Sequence, residues 1–218
     1  LTDVQLSVEF QHLLDWASDN GLSVNMSKTK ELVFCKPRFS TALLPPPLPG
    51  IDQTTSFKLL GIYLSQRLSM DEHVNCILSV ITQRFYLLNQ LRKQGLPTPA
   101  LNSIFHALIL SRILYALPAF SGFLSASNID RLDAALRKAQ KWKITDLNLS
   151  MTTLIELADD DLFNKIRLSN HCLNHLLPPV NTASQNYDLR PRGHSFTLPQ
   201  TGTLSRKSFV PRCLYNYI

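Results

Sequence analysis

The sequence predicts an α+β fold that is mostly helical, with a small antiparallel β portion first, helices after it and a basic, poorly ordered tail last. Three observations carry that expectation. From Met70 to Leu177 apolar residues recur at helical spacing. Short apolar runs bounded by turn residues fall only before Ser65. After Val180 the periodicity fails and Pro, Gly and cationic residues punctuate a polar chain.

In order, residues 3–19 read as an amphipathic helix, with Leu6, Phe10, Leu13, Leu14 and Ala17 on one face and Asn20-Gly21 as its stop. Leu22–Val24 and Glu31–Phe34 read as short strands flanking Ser27–Lys30. Residues 35–56 form a loop, because Pro45-Pro46-Pro47-Leu48-Pro49-Gly50 fits neither helix nor central strand. It reads as a plain connector before a partner-recruiting polyproline segment. Lys58–Leu64 resumes a strand, and the apolar segments either side of the loop are expected to pair.

Val74, Ile77, Leu78, Ile81, Phe85, Leu88 and Leu91 trace one helical stripe that stops at Gly95. Pro97-Thr98-Pro99 opens a second helix, apolar nearly all round and hence buried, which Pro118 is expected to end. Ser125–Trp142 is a third helix, with Ser127 or Asn128 as N-cap. Thr152–Leu177 adds one or two more. The expected division is 1–64, 65–120, 121–180 and a tail, 181–218.

The chain has 218 residues, 44% of them hydrophobic, so it affords a core. Its formal charge is +6, and 181–218 hold Arg190, Arg192, Arg206, Lys207 and Arg212 against Asp188 alone, a net +4. That balance points to a polyanionic partner, most simply nucleic acid. Cys35, Cys76, Cys172 and Cys213 have no CxxC spacing, which excludes a zinc ribbon or a disulfide framework. They suit half-buried or buried thiols in a reducing intracellular compartment, nucleus or cytoplasm. No signal peptide is visible. Ala107–Phe120, interrupted by Arg112 and Pro118, is too short to span a bilayer, so no membrane partner is expected.

Lys28 and Lys30 lie between apolar runs near a turn, where lysines are ordinarily solvated. At the edge of a polymerase site, however, an ammonium contacts phosphates or protonates departing pyrophosphate. Cations interleave with aromatics in Arg84-Phe85-Tyr86 with Arg92-Lys93, in Arg137-Lys138 with Lys141-Trp142-Lys143, and in the tail. Such sets either neutralise phosphates and stack on bases or simply solvate helix exteriors. Ala158-Asp159-Asp160-Asp161 reads as an exposed acidic helix edge. His171-Cys172 with His175 suggests zinc but lacks a fourth ligand nearby, so no metal site is assigned. Nothing resembles a Ser-His-Asp set, a phosphate-cradling Gly loop or a dinucleotide fingerprint.

Trp16, Asn20-Gly21-Leu22, Asn25 and Lys28-Thr29-Lys30, followed by Leu60-Gly61-Ile62, resemble in order and spacing two blocks of the reverse transcriptases of LINE-type non-LTR retrotransposons. These blocks are motif D at the back of the palm and the strand that grips the primer. The likeness extends along the chain, with 70–120 similar to the helical thumb and 121–180 to the helices after it. Tyr187–His194, Lys207–Phe209 and Arg212–Tyr215 resemble the C-terminal ending of many such elements.

The resemblance implies a fragment of an RNA-directed DNA polymerase. Lys28 would be the proton donor, and Lys30, Lys58, Leu60, Gly61, Arg84, Arg92, Lys93, Arg137, Lys138 and Lys141 would contact an RNA or DNA template–primer. The family's upstream Asp motif and YxDD pair are not in this sequence. Leu1 also begins inside a helical pattern, which suggests a truncated chain. Mg²⁺ is therefore expected only in an intact parent, no cofactor is expected here, and the chain alone is expected to be inactive. The alternative is a non-catalytic helical nucleic-acid-binding or protein-interaction module derived from such an element. Residues 1–64 are expected to be the less stable part, since a few isolated strands are marginal.

Overall fold

The computed structural model describes residues 5–35, 44–180 and 193–216. The fold is α+β and mostly helical, with two sheets of two strands each among the described residues. Backbone contacts group the chain into two units, Leu1–Glu72 and His73–Ile218.

In the first unit, α1 (Leu6–Asp19) ends at Gly21, whose φ is +67°. The Gly21 N–H donates to Ser18 O and the Leu22 N–H to Ala17 O, which closes the last turn as the Asn20-Gly21 pair predicts. Only Ala17 of the apolar face is buried, while Leu6 and Leu13 are about half exposed. The expected strand at Leu22–Val24 does not form. Asn25 Oδ1 accepts from the Lys28 N–H and the Ser27 hydroxyl, and this side-chain cap winds Met26–Lys28 into a 3₁₀ turn.

The strand expected at Glu31–Phe34 shrinks to β1 (Lys30–Glu31). β1 pairs with β2 (Asp52–Gln53), and the pairing is parallel. Glu31 explains why. It is buried, and its carboxylate accepts from the Leu48 N–H and the Gln53 amide, both at 2.9 Å. The Gln53 amide also reaches Pro45 O. Pro45 and Leu48 of the proline-rich segment are thereby held within their own unit.

The segment expected as one strand at Lys58–Leu64 is a hairpin, β3 (Ser56–Leu59) and β4 (Ile62–Ser65), antiparallel through a Leu60-Gly61 turn. Across the loop, the Cys35 N–H donates to Gln66 O at 2.9 Å, just beyond β4.

Next, α2 (Asp71–Lys93), which lies in the second unit from His73 onward, carries Asp71 and Glu72 in its first turn and Arg92 and Lys93 in its last, complementing the helix dipole. Val74, Ile77, Ile81, Phe85 and Leu88 are buried along it. The single helix expected from Pro97 to Leu117 is divided. α3 (Thr98–Phe105) passes into a π turn (His106–Leu110) and α4 (Ser111–Leu114). The chain then breaks at Ala116, φ +52°, and Pro118 opens α5 (Leu117–Phe120) instead of ending a helix. A proline in the first helical turn forfeits no internal hydrogen bond.

The whole run Thr98–Phe123 is long and apolar enough to cross a membrane by length and composition, unlike the shorter segment read from sequence. Here Leu101, Phe105, Ile109, Ile113, Leu117 and Phe120 of that run are buried in the fold. α6 (Ala126–Lys141) is capped by Ser125, not Ser127 or Asn128, because Ser125 Oγ accepts the Asn128 N–H and Asn128 is itself buried. α7 (Met151–Ile166) begins at Ser150 and receives Asp133, whose carboxylate accepts the Met151 N–H at 2.7 Å.

The largest departure from expectation is at the C-terminus. Residues 181–192 of the tail lie outside the described residues. Residues 193–216, expected to be extended or partly disordered, instead fold back and end in α8 (Phe209–Asn216). Arg212 is the reason. Its guanidinium donates two bonds to Asp159 on α7, at 2.9 and 2.8 Å, one to Pro118 O and one to Lys207 O. Asp159, read as part of an exposed acidic edge, is 4% exposed.

Behind this pair, Phe163, Ile166, Cys213 and Leu214 form a cluster with Leu173, Leu177, Phe196 and Val210 around them. His194 is buried there too, its Nε2 on Leu214 O and its Nδ1 accepting the Phe196 N–H. Cys172 is exposed rather than buried, and all four cysteines are free.

Gly122 makes the docking possible. A Cβ at that position would lie 2.0 Å from Lys207 O and 2.3 Å from an Arg212 guanidinium nitrogen. Gly122→Ala is therefore expected to lower stability by about 2 kcal/mol or more, read as a shift in the urea midpoint, with α8 loosened first.

Burial, reinforced by the Asp159 charge, pushes the Cys213 thiol from 9.0 up to about 12. The unfolded chain therefore loses that proton at lower pH than the folded one. Stability from this group is full below about pH 9 and declines as pH rises toward 12. Thiol labelling of the native protein at pH 8 should modify Cys172 rapidly and Cys213 only on unfolding.

Candidate nucleic-acid interface

Two of the cationic-aromatic sets in the sequence come together in the second unit. Arg131 donates to Asn75 Oδ1, Lys138 lies over the Phe85 ring, and Arg92 reaches Trp142 O. These pairs advance in the same direction along both elements, so α2 and α6 run parallel and end together. Two helix C-termini with their partial negative charge meet there, and each carries cations in its last turn. Residues 84–94 and 134–145 hold seven Lys or Arg and no Asp or Glu.

The geometry sorts those seven. Arg84 is folded inward, its guanidinium on Leu108 O. Arg92 donates to Trp142 O at 2.7 Å and to Asn89 Oδ1 at 3.0 Å. Both arginines are half-buried and satisfy carbonyl or amide oxygens, so they join helices and do not present charge outward. Of the cations expected at a nucleic-acid backbone, these two are the ones already bonded to protein oxygens. Lys138 keeps its ammonium 4.5 Å from the centre of the Trp142 ring and 5.6 Å from that of Phe85. The two rings meet edge to face at 5.8 Å. Lys93, Arg137, Lys141 and Lys143 are exposed. They form the outward charge of the face.

In the first unit, Lys28 is exposed at the end of the 3₁₀ turn and has no acidic partner among the described residues. Lys30 pairs with Asp52 across the β1–β2 ladder and draws that carboxyl below its usual range, chiefly by hydrogen bonding and then by charge. Its charge is thus already partnered. Lys58 lies over Tyr63 on the neighbouring strand, 5.3 Å from the ring centre.

Leu60 and Gly61 form the hairpin tip, with φ of +46° and +89°. A two-residue hairpin turn favours positive φ at both central positions. Gly61 adopts it freely, while Leu60 is strained by about 1 kcal/mol. Leu60 is also 83% exposed, so the Leu60-Gly61 motif is a presented tip and not the middle of a strand.

The third set, in the tail, is divided where it is described: Lys207 is exposed, while two arginines are engaged. Arg212 is paired with Asp159, and Arg206 lies over Tyr215 at 4.5 Å. Arg190 and Arg192 lie outside the described residues. His171 and His175 do not share a helical face. His171 Nδ1 accepts the Leu173 N–H, and a ring nitrogen of His175 meets Cys172 O. Among the described residues no group of three or more His, Cys, Asp or Glu side chains is placed to hold a metal ion. Asp159 is already neutralised by Arg212, so the Asp159–Asp161 run does not fit Mg²⁺.

Comparison with protein families, with curated proteins and with solved structures finds no match to this chain.

Arg92→Ala should act through structure. Losing its bonds to Trp142 O and Asn89 is expected to cost about 1–3 kcal/mol, because the donor is charged and the acceptor half-buried. In a Trp16→Phe background, urea unfolding followed by Trp142 emission reads both the loss and the altered environment of that ring.

Proposed function

We propose that the chain is a template–primer-binding part of an RNA-directed DNA polymerase of the LINE type, without polymerase activity of its own. The observation that best supports nucleic-acid binding is the parallel pairing of α2 and α6, which brings together two C-terminal stretches that carry the exposed Lys93, Arg137, Lys141 and Lys143 and contain no Asp or Glu. The link to the polymerase rests on the order of the Trp16–Lys30 and Leu60-Gly61-Ile62 blocks. Exposure of Lys28 and of the Leu60 tip is consistent with roles at a phosphate and at a primer end. The sequence lacks the family's upstream Asp motif and YxDD pair, so the reading assigns this chain binding and no polymerisation step.

Fluorescence anisotropy with a labelled primer–template tests the reading. Affinity should fall with salt at a log–log slope of about −3.6, the value for four neutralised duplex phosphates. Lys141→Glu with Arg137→Glu should weaken binding at low salt at least tenfold and flatten the slope, with the urea midpoint nearly unchanged. A wild-type chain that binds no polynucleotide at low salt would defeat the proposal and leave a protein-interaction module as the better account.

A further inference from the structure

We infer that Tyr86 is a base-stacking residue of the α2–α6 face, and that this face takes an unpaired base beside a duplex. The inference rests on the nucleic-acid reading above. Residues 84–94 and 134–145 contain three aromatic side chains, Phe85, Tyr86 and Trp142. Two are already engaged. Phe85 is 2% exposed, and Trp142 is half-buried, with Phe85 at its edge and the Lys138 ammonium over its ring. Phe85 is closed to a base, and Trp142 already has a cation over its ring.

Tyr86 differs from both. It is 65% exposed, and no hydrogen bond or ring contact holds it among the described residues. It stands seven residues before Lys93, which is two helical turns, about 10 Å along the axis and within about 20° of the same direction. Gln83 and Gln90, one turn to either side, are polar. An unengaged ring in line with an exposed cation is the combination by which proteins hold unpaired nucleotides. The ring stacks on any base, and the cation takes the adjoining phosphate. The phenol hydroxyl has no necessary part in such a contact, since the π-face supplies it.

The test compares two ligands at one salt concentration: a primer–template with a single-stranded 5′ overhang, and a blunt duplex with the same paired sequence. The wild-type chain should bind the overhang ligand more tightly. Tyr86→Ala should lose affinity for it on the order of tenfold, while blunt-duplex affinity and the salt slope stay unchanged. Tyr86→Phe should behave as wild type. Because the side chain is exposed and Ala favours helix, circular dichroism should show no change of fold. Equal wild-type affinity for the two ligands, or equal loss on both in Tyr86→Ala, would overturn the inference while leaving the nucleic-acid reading intact. Failure of the wild-type chain to bind either ligand would remove the reading beneath it.

Discussion

The Arg212–Asp159 pair is the constraint on which the C-terminal part of the structure depends. Two opposite charges, 12% and 6% exposed as side chains, have left water together. Their attraction alone does not repay that desolvation unless the remaining hydrogen-bonding capacity is also met. Here it is. The guanidinium fork faces the carboxylate with two nitrogens, and its other donors reach Pro118 O and Lys207 O. A lysine would supply the charge without the fork. The pair thus joins α5, α7 and α8 at one point. Gly122 lets the backbone of 205–207 approach closely enough for the joint to close. The apolar cluster of Phe163, Ile166, Cys213 and Leu214 then forms behind it.

What the sequence disclosed and what it hid follow one rule, the reach of the interaction involved. The α1 stop at Asn20-Gly21 and the α2 stripe are local patterns, and both are found in the structure. The strand expected at Leu22–Val24 lost to an equally local rival, the Asn25 cap, which weighs more than a three-residue apolar run. Pro118 was read as a stop although it is as well suited to the start of the next turn. The tail was read as unstructured because it has little apolar periodicity. Its order comes from a partner 53 residues away, which no periodicity reports. The candidate face divides in the same way. The cations were evident by type, but the engagement of Arg84 and Arg92 with oxygens 24 and 50 residues distant was not.

The division of labour among those cations gives the face its character. Arg84 and Arg92 hold the helices together, and Lys138 spends its charge on aromatic rings. That leaves a smaller set of exposed side chains held on a rigid base. Lysine at three of the four outward positions, Lys93, Lys141 and Lys143, offers point charges on flexible stems. Such groups suit a repeating backbone more than a single fixed planar ligand. The first unit is organised differently. Its buried carboxylate, Glu31, bonds to Leu48 and Gln53, and its buried apolar residues among those described are Ala17, Ile51 and Met70.

The π turn at His106–Leu110 has a consequence for helical phase. Leu101, Phe105, Ile109, Ile113 and Leu117 are all buried at intervals of four residues. In an unbroken α-helix each such step overshoots a full turn by about 40°, so the fifth side chain would point about 160° away from the first. The wider turn in the middle, with the break at Ala116, takes back that drift and keeps a four-residue repeat facing one way. The run therefore behaves as a gear with one widened tooth. Removing a single residue between His106 and Leu110 would let the widened turn close to an ordinary α turn; Leu101 and Ile113 would then stand eleven steps apart, three turns to within about 20°, and still face the same side.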